Sequence, residues 1–123
     1  MKYSDQQRIN KIYEYASKLN QYIQNNNVTK ENLVNEFSLQ WLVTTPLYNI
    51  GEHVYNLSKE YKEKHGDIQW SLIAGVRHRL VHDYDGTNWN IIAKIIFDEI
   101  PLLLRQLEKL SSESIESTST PAS

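Results

Sequence analysis

Apolar residues return every three or four positions along most of this 123-residue chain, the period of helices that bury one face. From Asp5 to about Gln24 the stripe is Ile9, Ile12, Tyr13, Ala16, Leu19 and Ile23. Asn25, Asn26 and Asn27 should stop it, because asparagine side chains bond nearby backbone and favour turns. Thr29 is placed to cap a segment through Leu33, Val34 and Phe37. The pattern runs on through Trp41, Thr44, Tyr48, Gly51 and Tyr55, again on one face. Pro46 falls inside that run and predicts a kink or the helix's true start, since it has no donor and crowds the preceding turn. Gly51, on the same stripe, would let a second helix approach closely. The pattern ends at Tyr61, and Lys62 to Gly66 reads as a basic helix end with a glycine stop.

Asp67 is expected to cap the next helix, which carries Trp70, Ile73, Ala74 and Leu80. Asp85-Gly86 marks a turn, after which Thr87 or Asn88 can cap a last helix. That helix bears Trp89, Ile92, Ile96, Ile100, Leu103, Leu107 and Leu110, and Pro101 should bend it. No strand-like alternation persists. The pattern predicts an all-α fold over residues 1–110, an antiparallel bundle of four main helices with one short extra. From Ser111 the composition turns to serine, threonine and glutamate, and residues 111–123 are expected to form a disordered tail.

Composition narrows what such a bundle can do. The chain is 40% hydrophobic and 23% charged, as a soluble globular domain is. It has no cysteine, which excludes disulfides, zinc–thiolate sites and cysteine nucleophiles and suits a cytoplasmic location. No apolar run is long enough for a signal peptide or a membrane span. A net charge of −2 argues against general attraction to nucleic acid, so any such contact needs a local basic patch. Three tryptophans and eight tyrosines are more aromatic surface than a small bundle readily hides, which predicts a symmetric homodimer.

The basic patch is Arg77-His78-Arg79-Leu80-Val81-His82-Asp83-Tyr84-Asp85-Gly86. A core has little use for so many ionisable groups, because each would need a partner or a shifted pKa. A site that handles phosphate does. Arginine forks bind phosphoryl oxygens, and histidine can move protons near neutral pH. The set therefore fits metal-independent cleavage of RNA, in which a 2′-hydroxyl loses a proton and the leaving oxygen gains one. Arg77 and His82 lie five residues apart, about 140° around an ideal helix, and converge only if the helix ends near His82. His78 and His82 share a face.

Arg77, four residues, His82, one residue, Tyr84 resembles the R-x4-H-x-Y motif of the HepT-like toxins of the HEPN superfamily. Ile50-Gly51-Glu52 is similar to the family's "IGE" segment. Val76 to Tyr84 is similar to its "RN-LVH-Y" block, and Glu99-Ile100-Pro101-Leu102 to its "-lP-L". The resemblance covers roughly residues 5–110. It implies a homodimeric all-α ribonuclease toxin, with Arg77 and His82 of both chains lining a cleft at the dimer interface. It also implies a small nucleotidyltransferase antitoxin of the MntA type that transfers AMP to Tyr84. No cofactor is expected. His78 stands where the family often has asparagine, which leaves the division of acid and base roles open.

Plainer readings stand beside these. His82 alone could be a helix-end histidine bonded to a carbonyl. His78 and His82, with Asp83 or Asp85, could hold a metal. Arg79 reads better as a solvated or ion-paired residue than as a second catalytic arginine. Glu52 either orients Arg77 or makes a surface ion pair. His53 and His65 read as incidental, and Trp41, Trp70 and Trp89 as core or interface residues. A catalytically silent helical dimer that binds a nucleotide, an RNA or a nucleotidyltransferase is the alternative to the toxin.

Overall fold

Ser4 opens the first helix. Its hydroxyl accepts the Gln7 backbone N–H (3.1 Å) and the Gln7 side chain accepts the Ser4 N–H (2.8 Å), satisfying two amides that a helix start would orphan. The structure, a computed structural model, describes the backbone of residues 2–82 and 86–119 and the side chains of residues 2–80 and 86–110. Helix α1 spans Asp5–Asn25 and stops in the asparagine run, with Asn27 in the left-handed region (φ 51°).

Thr29 caps α2 (Lys30–Asn35) by the same reciprocal device with Asn32. Helix α3 (Phe37–Tyr55) is separate, where the periodicity reads as continuous. Glu36 is extended between them, and Gln40 Nε2 donates to the carbonyls of Leu33 and Val34 (both 3.0 Å), serving the last turn of α2. Pro46 lies inside α3 and is not its start. Helix α3 ends before the apolar pattern does. Ser58 then caps α4 (Lys59–Lys64), accepting the Tyr61 N–H and donating its hydroxyl to Asp5 Oδ2 (2.6 Å). The Ser58 N–H donates to Asp5 Oδ1 (2.8 Å), and these hydrogen bonds hold the Asp5 carboxyl below its ordinary pKa.

Helix α5 (Trp70–His82) starts later than an Asp67 cap would place it. The Asp67 carbonyl accepts Gln106 Nε2 (3.2 Å) instead, and the Trp70 indole N–H donates to the His65 carbonyl (3.0 Å). Asn88 accepts the N–H groups of Asn90 and Ile91 and starts α6 (Trp89–Lys94). A π-helical turn, Ile95–Glu99, joins α6 to α7 (Ile100–Ser119). The Ile100 N–H bonds the Ile95 carbonyl across the widened turn, just ahead of Pro101, whose ring would crowd the carbonyl four residues back.

The backbone of α7 is helical as far as Ser119, and residues 120–123 lie outside the described ones.

Helix α3 lies between α1 and α5. Asp5 meets Ser58 and Arg8 meets His53, so α1 starts where α3 ends and the two are antiparallel. Helix α7 runs back along α1, with Tyr13 against Glu108 near one end and Ile23 near Phe97 and Pro101 at the other. One continuous core includes Ile12, Leu33, Leu47, Ile50, Ile92, Ile100 and Leu103, and among the described residues no polar side chain is fully buried. The protein is an all-α antiparallel bundle of four long helical stretches. Besides these, with α6 running through the π-helical turn into α7, the described residues form two short separate helices, α2 and α4, where one short extra was expected. No described helix is long and apolar enough to cross a membrane.

Candidate active site

A close approach of α3 to α5 places the arginine of the central stretch. A Cβ built on Gly51 of α3 would stand 3.0 Å from both the Cβ and the backbone nitrogen of Arg77 on α5, and 3.4 Å from the Ala74 carbonyl oxygen. Any larger residue would crowd that approach, and with glycine there Arg77 emerges beside the last turn of α3. Glu52 is one residue on, and its Oε2 lies 3.4 Å from Arg77 Nη1. Tyr55, one turn further, puts its ring under the guanidinium, 4.0 Å from centroid to Cζ. Arg77 is thus held from two sides by α3.

The ion pair is not a bidentate fork. Glu52 Oε2 and Arg77 Nε are both buried, and neither makes a hydrogen bond among the described residues. A guanidinium has five donors in fixed directions, so one Nη contact leaves capacity for an anion. As a partly exposed pair it adds at most about 1 kcal/mol to stability, and its consequence is the position of Arg77. Glu52 had two readings from sequence, and the structure brings it to Arg77.

His78 is exposed on α5 and borders the same cavity as Arg77. Arg79 is exposed and does not join the Glu52–Arg77–Tyr55 group, because residues two apart on a helix face different ways. His82 is the last residue of α5; its side chain, and Asp83, Tyr84 and Asp85 entirely, lie outside the described residues. The helix is regular from Arg77 to His82, so the two diverge by about 140° around it. Among the described residues, no three histidine or carboxylate groups gather to hold a metal.

His53 accepts a hydrogen bond at Nδ1 from Arg8 Nη1 (3.2 Å) and takes the edge of Tyr3. Burial, then the positive charges of Arg8 and Lys11, push its pKa down, and Glu52 opposes them. Trp70 is buried in the core and Trp89 packs against it, whereas Trp41 is 72% exposed and touches Phe37 edge-on. Sequence reasoning missed Tyr55 as a partner of Arg77. The signal was its spacing, three residues after Glu52 and so on the same face of α3.

In this all-helical bundle an arginine is clamped at a helix crossing and a histidine closes the same helix. Residues 12–110 match the family described as "Ribonuclease HepT-like", and the chain belongs to that family. A protein of Caldanaerobacter subterraneus, assigned provisionally by its name to the RNases, is 48% identical over 61 residues. That match takes in 50% of this chain and 54% of the relative, so it spans about half of each. A protein of Thermococcus cleftensis named "Probable ribonuclease HepT" is 34% identical over 71 residues, 58% of this chain and 64% of the relative. A Methanocaldococcus jannaschii protein, also named provisionally as an RNase, is 28% identical over 99 residues, 80% of each chain. No solved structure matches the chain.

Proposed function

We propose that the protein is a metal-independent endoribonuclease toxin that acts through Arg77 and His82. The observation that carries this reading is the clamped Arg77 at the Gly51 crossing, five residues ahead of the histidine that closes α5, in a chain of the HepT-like ribonuclease family. A histidine imidazole takes the proton of the ribose 2′-hydroxyl as that oxygen attacks the adjacent phosphorus. The P–O5′ bond breaks, and the departing 5′-oxygen takes a proton from a second acid. The products are a 2′,3′-cyclic phosphate and a free 5′-hydroxyl. Arg77 stabilises charge on the non-bridging phosphoryl oxygens. His82 is the first candidate for proton transfer, with His78 as auxiliary. The required 2′-hydroxyl restricts cleavage to RNA.

The site is completed by a second copy. Phe37, Trp41 and Tyr48 recur at steps of four and seven on one face of α3, and Phe37 and Trp41 are 63% and 72% exposed. That stripe runs toward Tyr55, the ring beneath Arg77. A twofold seam along it sets Arg77 of each copy near the other's α5, which compensates for the divergence of Arg77 and His82 around one helix. In this reading an MntA-like nucleotidyltransferase antitoxin silences the enzyme by moving AMP onto Tyr84, adding a phosphate that competes for Arg77.

Purified protein in excess chelator should cut single-stranded RNA to 2′,3′-cyclic ends and leave DNA intact. Arg77→Ala and His82→Ala should each abolish cutting and keep the helical circular dichroism spectrum. Activity that vanishes with chelator and returns with zinc would replace this mechanism with a His78–His82 metal site. Intact mass after incubation with antitoxin and ATP should show AMP added to the wild type and none on Tyr84→Phe.

A further inference from the structure

Beside Arg77 the bundle holds a cavity of about 380 Å³ that phosphate chemistry alone does not require. Three elements frame it: the end of α3 with Tyr55, α4 with Lys62, and the outer face of α5. We propose that this cavity is a base subsite, taking the nucleobase next to the scissile phosphate of single-stranded RNA. The proposal rests on the ribonuclease reading and adds to it where the substrate's base is held.

Size and lining point the same way. The volume lies in the range of small-molecule pockets, suited to a flat heterocycle. Along α5 the wall is Ser71, Ala74 and Gly75, small residues three and four apart, so a ring can lie close to the helix backbone. Trp70 is a fixed wall, 6% exposed and tied through its indole N–H to the His65 carbonyl. Tyr55 is the ring offered to a ligand. It is 56% exposed and kept in place by Arg77 on its face. Its own backbone carbonyl accepts Lys62 Nζ (3.2 Å), which keeps that cation at the rim.

Charge separates this cavity from two others among the described residues. The larger one, about 650 Å³ beside α4, includes the Glu63 carboxylate, and the one at the α1–α7 contact has no charged residue. Here Lys62, Arg77 and His78 line the space and no carboxylate does. Arg77 belongs both to the phosphate site and to the cavity wall. A phosphate held on Arg77 therefore has its own nucleoside within reach of Tyr55. Stacking on an aromatic face tolerates any base, so the subsite would strengthen binding of unpaired RNA and exclude paired bases, whose faces are covered.

Binding of uncleavable RNA tests the subsite apart from catalysis. The probe is a labelled 2′-O-methyl hexamer, which lacks the attacking hydroxyl, titrated with full-length protein by fluorescence anisotropy. A set of hexamers each with one abasic residue keeps every phosphate and deletes one base at a time. One position should weaken wild-type binding by on the order of tenfold, the loss of one stacked base. Gly75→Leu should weaken the intact hexamer equally and lose sensitivity to that abasic position. A Cβ at Gly75 meets nothing within 4 Å, so the leucine enters the cavity and not the core. Ser71→Leu fills the same space from another exposed position and serves if Gly75→Leu does not fold. Wild type indifferent to every abasic position overturns the subsite, even if it cuts RNA. So do two folded cavity-filling variants that bind like wild type. Failure to cut ordinary RNA, with the abasic pattern intact, would instead sink the ribonuclease reading and leave the base site standing.

Discussion

Gly51 and Arg77 touch backbone to backbone where α3 crosses α5, and a Cβ at Gly51 would stand 3.0 Å from the Arg77 nitrogen. The opposing atoms are main chain and Cβ, which cannot swing aside as a side-chain tip can. Gly51→Val should therefore force the helices apart, costing about 1–3 kcal/mol by overpacking. Chemical unfolding should show the lowered midpoint, and RNA cleavage should fall further than stability alone explains, because Arg77 moves with α5. A variant as stable and active as wild type would mean the crossing is not what positions Arg77.

Glu52→Gln keeps the shape beside Arg77 and removes the charge. Stability should change by less than about 1 kcal/mol, since the pair is partly exposed. Cleavage should drop by roughly tenfold, as an arginine free to change rotamer is less often aligned with the phosphate. Unfolding curves and steady-state rates on one RNA separate the two effects. Equal rates would reduce Glu52 to a surface ion pair.

His53 gives the fold a defined pH dependence. Its pKa is lowered in the folded state by burial and by Arg8, so the unfolded chain takes up the proton first as pH falls. At pH above the ordinary value of 6.5 both states are neutral and the residue adds no pH dependence. Stability should decline as pH drops below 6.5, until the lowered folded value is reached. Thermal melts of His53→Gln should show a smaller decline over that window. Identical pH profiles would show that the Arg8–His53 contact does not couple to folding.

The exposed stripe on α3 predicts the oligomeric state. Trp41→Glu places a charge on the 72% exposed ring position and leaves the core untouched. Wild type should scatter light as a dimer at micromolar concentration, and the variant should shift to monomer and lose cleavage in parallel. A wild-type monomer with full activity would remove the second copy from the site.

What the sequence determined by itself was local. Helix period, the caps at Thr29 and Asn88 and the asparagine stop each depend on groups within a few residues, and each was legible. The errors also have local causes. A stripe can pass through a one-residue break, so the periodicity does not mark the α2–α3 boundary at Glu36, where Gln40 serves the end of α2. Asp67 looked like a cap, but its carbonyl is held by Gln106 from α7. Arg77 was found as a candidate from its motif, and Gly51 as a place where helices could meet. That they meet each other was decided only by the tertiary structure, because no rule of spacing says which helix fills the gap over a glycine. The same holds for Tyr55 under Arg77 and for the cavity beside it. Both exist only because antiparallel packing sets the end of α3 against the middle of α5, bringing together residues distant in the chain.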